Sequence, residues 1–245
     1  MKVALAYLLA ITIAEVITIT NEPVWGVVCH IIMLSAIILH SALSEGQTQQ
    51  QLLLSLMLVP LIRIISLAMP LADIPKIWWY PIIYTPLLVA TIMVVRLLNL
   101  RAEQVGFKLR LIPVQLVVAL SGLVFGVVEY LILKPEPLVV ELTWQGMWLP
   151  ALILLVCTGF VEEFIFRGVL QHTAQGVFGL WGIAYVSLIF AILHVGFLSW
   201  IDVIFVFAVA LVFGWVVKKT GSLLGVTLSH GISNIMVFLV APFFI

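Results

Sequence analysis

Long apolar stretches recur along the whole chain and constrain its fold more than any other feature. A membrane-spanning helix needs about 20 mainly apolar residues, and about nine stretches meet this requirement. They cover residues 2–20, 24–43, 51–72, 80–98, 113–133, 148–175, 179–198, 201–217 and 222–243. Eight is the alternative number, because four prolines make the third and fourth stretches irregular: Pro60, Pro70, Pro81 and Pro86. The sequence therefore predicts an all-α, polytopic integral membrane protein of about eight to nine transmembrane helices.

The charge content excludes most other classes of protein. Charged residues make up 9% of the chain, against about 25% in an average soluble domain. Eleven basic and eleven acidic residues cannot cover the surface of a soluble fold of 245 residues. A soluble enzyme and a disordered chain are therefore excluded, and the absence of a basic tract argues against binding to nucleic acid. The two cysteines, Cys29 and Cys157, lie in apolar runs and are expected to pack between helices.

The basic residues suggest an orientation in the membrane. Lys2 and the apolar run after it are similar to a signal peptide. The run continues past Glu15 without a clear cleavage site, so we expect a first membrane helix. The connection 99–112 and the pair Lys218–Lys219 are the most basic segments between helices. The positive-inside rule predicts both on the cytoplasmic side, with the N-terminus inside and the C-terminus outside.

The sixth apolar stretch contains the densest group of charges, Glu162, Glu163 and Arg167. Each ionisable residue within a membrane costs about 2.5–3.5 kcal/mol on insertion scales, which makes such residues functional candidates. Glu163 and Arg167 share one helix face and are expected to form an ion pair. Because consecutive helical residues point about 100° apart, Glu162 is expected to face elsewhere, without a counter-ion in its own helix. Such a carboxyl group is a candidate general acid or base.

Two further pairs of side chains have the same four-residue spacing. Phe190 and His194 share a face near the end of the seventh stretch, and His230 and Asn234 share a face in the ninth. If the sixth and seventh stretches form a hairpin, Glu162 and His194 both lie roughly 21 Å from its turn. His230 and Asn234 are expected at a similar depth. The sequence therefore predicts that a carboxylate, two imidazoles and a carboxamide meet within the membrane.

Together these residues resemble the motifs of the CPBP family, the CAAX proteases and bacteriocin-processing enzymes that are also called Abi proteins. The family motifs EExxxR, FxxxH and HxxxN are complete and in order, beginning at Glu162, Phe190 and His230 respectively. The resemblance covers roughly residues 148–240. It divides the chain into N-terminal membrane helices without a family signature, residues 1–147, and a CAAX-protease-like catalytic core, residues 148–245.

The resemblance implies an intramembrane endopeptidase. Glu162 would activate water with help from His194, while His230 and Asn234 would stabilise the oxyanion. The supporting residues would be Glu163, Arg167 and Phe190. The expected partners are the lipid bilayer and a membrane-associated protein or peptide substrate, either prenylated or unmodified. The expected location is the membrane of a bacterial or archaeal cell.

The resemblance leaves the role of a metal open. Family members have been called metalloproteases, and Glu162, His194 and His230 are of the types that bind zinc. The zincin motif HExxH does not occur in the sequence. We therefore favour a glutamic-type mechanism without cofactor or metal, with a divalent metal such as zinc as the alternative.

Two other functions compete with proteolysis. The first is a non-catalytic bacteriocin-immunity or scaffold protein on the same fold. The second is a small proton-coupled transporter, with Glu15, Arg63, Glu129 and Glu162 as relay groups. The more ordinary expectation for Glu15, Arg63 and Glu129 is that they pair with each other. An aspartyl protease is disfavoured because the only aspartates, Asp73 and Asp202, lie near predicted helix ends. A serine hydrolase is disfavoured because no GxSxG motif is present.

Overall fold

The computed structural model describes residues 1–20 and 22–245, and the regular structure in these ranges is helical throughout. The α-helices are α1 (Lys2–Thr20), α2 (Pro23–Leu43), α3 (Gln47–Leu56), α4 (Leu58–Ala68), α5 (Lys76–Leu97), α6 (Ile112–Leu133), α7 (Trp144–Leu154), α8 (Gln171–Phe178), α9 (Trp181–Ile192), α10 (Trp200–Thr220) and α11 (Leu224–Ile235). Two π-helical segments, Leu155–Glu162 and Phe164–Leu170, join α7 to α8. A third π-helical segment, Met236–Val240, follows α11. The all-α architecture predicted from the sequence is confirmed.

Eight helices within the described ranges are long and apolar enough to cross a membrane. The third combines α3 and α4 as Gln47–Ala68, and the sixth is the long rod Trp144–Phe178. The seventh predicted stretch, 179–198, is shorter than expected, because α9 ends at Ile192 and only the 3₁₀ turn Val195–Phe197 follows. A helix of 12 residues is only about 18 Å long, against a hydrocarbon core of about 30 Å.

The prolines affect the two irregular stretches differently. The third stretch breaks at Met57, between α3 and α4 and three residues before Pro60. This follows from the clash between a proline ring and the preceding helical turn. Helix α5, in contrast, continues through both Pro81 and Pro86. The expected irregularity therefore interrupts the helix in only one of the two stretches.

Helix α11 packs closely against α6 and against the first π-helical segment. Glycines at these crossings have no side chain to hold the backbones apart. A Cβ atom on Gly159 would lie only 2.8 Å from the carbonyl oxygen of Thr227, and one on Gly122 would overlap the backbone of Ser229. This close packing brings the motif residues of α11 beside those of the two π-helical segments. These two segments, residues 155–170, are called the π-helical rod below.

The two basic connections lie at the same end of the molecule. The amide of Leu223, just after the Lys218–Lys219 pair, donates a hydrogen bond to the carbonyl of Gly106, at 3.0 Å. Gly106 belongs to the basic connection between α5 and α6. This contact agrees with the predicted placement of both connections on one side of the membrane, and the assignment of that side to the cytoplasm stays a prediction.

Candidate active site

A cavity of about 590 Å³ lies among α4, α5, α6, α9, α10, α11 and the π-helical rod. Its size is within the range of pockets that bind small ligands or peptide side chains. Much of its wall is aromatic: Phe125 of α6 contacts Phe205 and Phe213 of α10, at centroid distances of 6.3 and 6.0 Å. All seven motif residues of the sequence analysis line this cavity: Glu162, Glu163, Arg167, Phe190, His194, His230 and Asn234.

The π-helical rod changes one prediction about the two glutamates. The sequence predicts that Glu162 and Glu163 face different directions, but both line the cavity and both approach His230. That prediction is wrong because it assumes α-helical geometry. A π-helix is wound with i→i+5 hydrogen bonds, so successive residues rotate by less than 100°. The smaller rotation brings the two adjacent carboxyl groups nearer to one face, and His230 reaches each of them with a different ring nitrogen.

Glu163 joins the rod to α11 through a single oxygen. Its Oε1 accepts hydrogen bonds from Nη1 of Arg167 and from Nδ1 of His230, each at 2.9 Å. The predicted ion pair between Glu163 and Arg167 is therefore present, and the side chains of both are almost fully buried. The other oxygen of Glu163, Oε2, is buried without a hydrogen-bond partner among the described residues. Because Nδ1 of His230 is held by Glu163, its Nε2 is the nitrogen that can act in the cavity.

The side chain of Glu162 contacts residues of two other helices, α5 and α11. The hydroxyl of Tyr84, on α5, donates a hydrogen bond to Oε1 of Glu162. The second oxygen, Oε2, lies 3.7 Å from Nε2 of His230. That separation is too long for a direct hydrogen bond, so Oε2 keeps free acceptor capacity on the cavity side. The side chain of Glu162 is 14% exposed, which leaves it accessible from the cavity.

His194 is held by its own helix. Its Nδ1 donates to the carbonyl oxygen of Phe190 at 2.8 Å, so in the neutral imidazole Nε2 is a free acceptor. The ring of Phe190 lies between several charged or polar groups. It is 4.8 Å from the His194 ring and 4.3 Å from the guanidinium carbon of Arg167. Phe190, which the family resemblance makes a supporting residue, therefore packs against both and offers Arg167 a cation–π contact.

Asn234 is oriented by a threonine that the sequence analysis did not select. Its Nδ2 donates to Oγ1 of Thr158 at 2.7 Å, and Thr158 in turn donates to the carbonyl of Leu154 at 2.6 Å. An amide nitrogen carries two hydrogens, so one remains for a second acceptor. Asn234 and His230 are four residues apart on α11, and both line the cavity as expected from that spacing.

The charged residues of the first helices form a separate cluster. Arg63 donates to both oxygens of Glu15, at 2.6 and 2.8 Å, and Nε2 of His30 lies 3.0 Å from Oε1. Two of the three residues that were expected to pair, Glu15 and Arg63, therefore do so. The third, Glu129, lines the cavity instead and accepts a hydrogen bond from Ser233 at 3.3 Å.

A metal site requires ligands that converge on one point, at about 2.0–2.3 Å from the ion. Within residues 1–20 and 22–245, no group of three or more His, Cys, Asp and Glu side chains is arranged to hold a metal ion. Glu162, His194 and His230 line one cavity, but they do not form such a ligand set in this arrangement.

Sequence reasoning missed two residues that contact the motifs. Thr158 lies four residues before Glu162 in the same stretch, so its position could have marked it as a neighbour. Tyr84 lies in the fourth stretch, far from any motif, and no spacing rule connects it to Glu162. Trp79 and Tyr80, which have the composition of an interfacial aromatic belt, line the cavity instead, whereas Trp78 is exposed.

The fold and the cavity together define a class: a polytopic membrane protein with an internal site equipped for acid–base chemistry. Residues 143–236 match the family model described as Rce1-like, type II CAAX prenyl endopeptidase. This segment contains all three motifs, so the resemblance inferred from the motifs is confirmed. Over this segment the chain is similar to CAAX-type intramembrane proteases, and the long apolar helices of the described residues are those of an integral membrane protein. No curated protein and no solved structure matches the chain.

Proposed function

We propose that the protein hydrolyses a peptide bond in a membrane-associated protein or peptide, with Glu162 as the general base and His230 and Asn234 as the oxyanion site. The observation that carries the proposal is the separation of 3.7 Å between Oε2 of Glu162 and Nε2 of His230. It leaves an acceptor and a potential donor side by side at the cavity wall, which is what water attack on a carbonyl requires. The family match of the same segment supports proteolysis over other uses of these groups.

In the first step, Glu162 takes a proton from water while the water oxygen bonds to the scissile carbonyl carbon. His194, whose Nε2 is a free acceptor, holds the second hydrogen of that water. The carbonyl π electrons move to the oxygen, and this oxyanion accepts hydrogen bonds from Asn234 Nδ2 and, in its doubly protonated form, from His230 Nε2. The carbon–nitrogen bond then breaks as Glu162 returns its proton to the leaving amine.

The apolar part of the cavity supports a substrate with a lipid or strongly apolar segment. Phe125, Phe205 and Phe213 form a continuous aromatic wall beside the reactive groups. Such a wall favours an apolar chain over a charged one, since burying a charge without a partner is costly. A prenylated peptide is therefore the substrate that we would offer first, in keeping with the family whose model matches residues 143–236. A bacterial or archaeal cell membrane is the proposed location.

The test is cleavage of quenched fluorescent peptides, prenylated and unmodified, by the protein purified in detergent. Glu162→Gln and His230→Ala should each lower kcat/KM by about 10²–10⁴-fold. Glu103→Gln provides the matched control, because Glu103 is largely exposed in the basic connection and contacts only Lys108. Cleavage that is equal in Glu162→Gln and in wild type would overturn the assignment of Glu162 as the general base. Absence of cleavage by wild type with every peptide offered would instead favour the non-catalytic scaffold protein.

A chelator separates the two catalytic types in the same assay. Activity that survives the chelator in wild type, and is lost in Glu162→Gln, is expected for the glutamic-type mechanism. Activity that disappears with the chelator and returns with added zinc would replace that mechanism by metal-assisted hydrolysis. Both results would be consistent with proteolysis. They differ in what activates the attacking water, Glu162 alone or a metal ion.

A further inference from the structure

The hydroxyl of Tyr84 reaches Glu162 from a part of the chain that the family match does not cover. Tyr84 lies on α5, whereas the matched segment begins at residue 143. Its hydroxyl donates to Oε1 of Glu162, and its ring lines the same cavity. Two carboxylate oxygens are available on Glu162, and this contact occupies the one that does not face His230.

The surroundings of Tyr84 hold it in this position. Helix α5 packs against the π-helical segment Leu155–Glu162, at the end of which Glu162 lies. The ring of Tyr80, one turn earlier, is stacked on Tyr84 with an interplanar angle of 18°. A tyrosine supported in this way cannot turn its hydroxyl away from Glu162 without disturbing its neighbours.

We propose that Tyr84 is a positioning residue for the reaction, which fixes the Glu162 carboxylate so that Oε2 points to the water site beside His230. A glutamate side chain has free rotation about its terminal bond, and a π-helical backbone does not by itself set that angle. A hydrogen bond on Oε1 selects one orientation and leaves Oε2 free to accept the proton. Helix α5, which lies outside the matched segment, would then complete the catalytic centre. This inference rests on the proposed role of Glu162.

Tyr84→Phe is the direct test, since it removes the hydroxyl and keeps the ring and its stacking on Tyr80. A hydrogen bond to a charged group corresponds to roughly a tenfold to hundredfold effect, and we expect that loss in kcat with KM changed by less than about twofold. If Tyr84 only contacted the substrate, Tyr84→Phe would instead raise KM and leave kcat unchanged. Unchanged kcat in Tyr84→Phe would overturn the inference.

Tyr185→Phe is the matched control. Tyr185 is a buried tyrosine on α9 whose hydroxyl donates to the carbonyl of Ala4 at 3.0 Å, and it does not line the cavity. The same chemical change there should leave kcat and KM within about twofold of wild type. An equal fall of kcat in both variants would assign the effect to general loosening of the fold and would refute a positioning role for Tyr84.

A spectroscopic measurement tests the inference without a substrate. The infrared difference between wild type and Glu162→Gln isolates the carboxyl band of Glu162. That band should shift in Tyr84→Phe and stay in place in Tyr185→Phe, because only Tyr84 donates to it. A band that does not move in Tyr84→Phe would refute the contact. Activity loss in Glu162→Gln with an unmoved band would refute the role of Tyr84 and leave the proposed function intact.

Discussion

Two buried clusters in this molecule each contain a glutamate that contacts an arginine and a histidine. They differ in whether every carboxylate oxygen has a partner and whether the histidine faces the cavity. In the first helices, Arg63 donates to both oxygens of Glu15, and His30 contacts one of the same oxygens. The Glu15 and His30 side chains are almost entirely buried, at 1% and 0% exposure. Every oxygen of the carboxylate is therefore engaged, and His30 lies outside the reach of the cavity.

The second cluster is open on one side. Glu163 uses one oxygen for both Arg167 and His230, and its other oxygen has no partner in the described part of the chain. His230 remains 13% exposed and directs its second nitrogen toward Glu162 at the cavity wall. Membrane proteins bury ion pairs at a considerable desolvation cost, so composition alone does not distinguish a structural cluster from a catalytic one. What differs is access: Nε2 of His230 lies at the cavity wall, whereas the unpartnered Nδ1 of His30 is buried away from it.

The largest expected difference between the clusters is in stability. Glu163→Gln leaves Arg167, whose side chain is 2% exposed, without its carboxylate, and we expect a loss of about 3–5 kcal/mol. Glu15→Gln should cost less, about 1–3 kcal/mol, because the Arg63 side chain is 15% exposed and lines the cavity. Thermal unfolding of both variants in one detergent measures the difference. A greater loss in Glu15→Gln would reverse our ranking.

The histidines separate the clusters by activity. His230→Ala should lower kcat/KM for peptide cleavage by about 10²–10³-fold, as for the loss of an oxyanion donor. His30→Ala should change kcat/KM by less than about threefold, because the hydrogen bond of His30 goes to Glu15 and its side chain does not line the cavity. Equal losses in the two variants would mean that the closed cluster also acts in catalysis.

A smaller effect is expected from the threonine that orients Asn234. Thr158→Val keeps the shape of the side chain and removes the oxygen that accepts from Asn234, so we expect a fall in kcat of up to about tenfold. Thr18→Val is the control, since Thr18 donates only to the carbonyl of Ala14 near the closed cluster. Its kcat should equal that of wild type. A normal kcat in Thr158→Val would show that Asn234 needs no such support.

The smallest expected effect concerns the aromatic ring over the open cluster. Phe190→Leu removes the cation–π contact with Arg167 and should lower stability by about 0.5–2 kcal/mol. Phe178→Leu is a suitable comparison, because Phe178 stacks on Tyr185 with no cation recorded over its ring in the described residues. Similar unfolding temperatures for the two variants would mean that the contact with Arg167 adds little to ordinary aromatic packing.

Much of the site could be predicted because its parts are local in sequence. Pairs four residues apart on a helix share a face whatever the rest of the fold does, and this rule correctly joined Glu163 to Arg167 and aligned His230 with Asn234. The rule failed for Glu162 and Glu163, because it assumes α-helical winding where the chain is π-helical. No residue in that segment marks the change of winding in a way that sequence reasoning could use.

The sequence by itself determined that this chain lies in a membrane, because so few charged residues cannot solvate a fold of this size. It also indicated which side chains are functional candidates, because ionisable groups are rare enough in apolar helices to be recognised. Only the tertiary structure decided that Tyr84, 78 residues away, bonds to Glu162, and that one cluster is closed and the other open. Such contacts depend on how whole helices pack together, which no local spacing encodes.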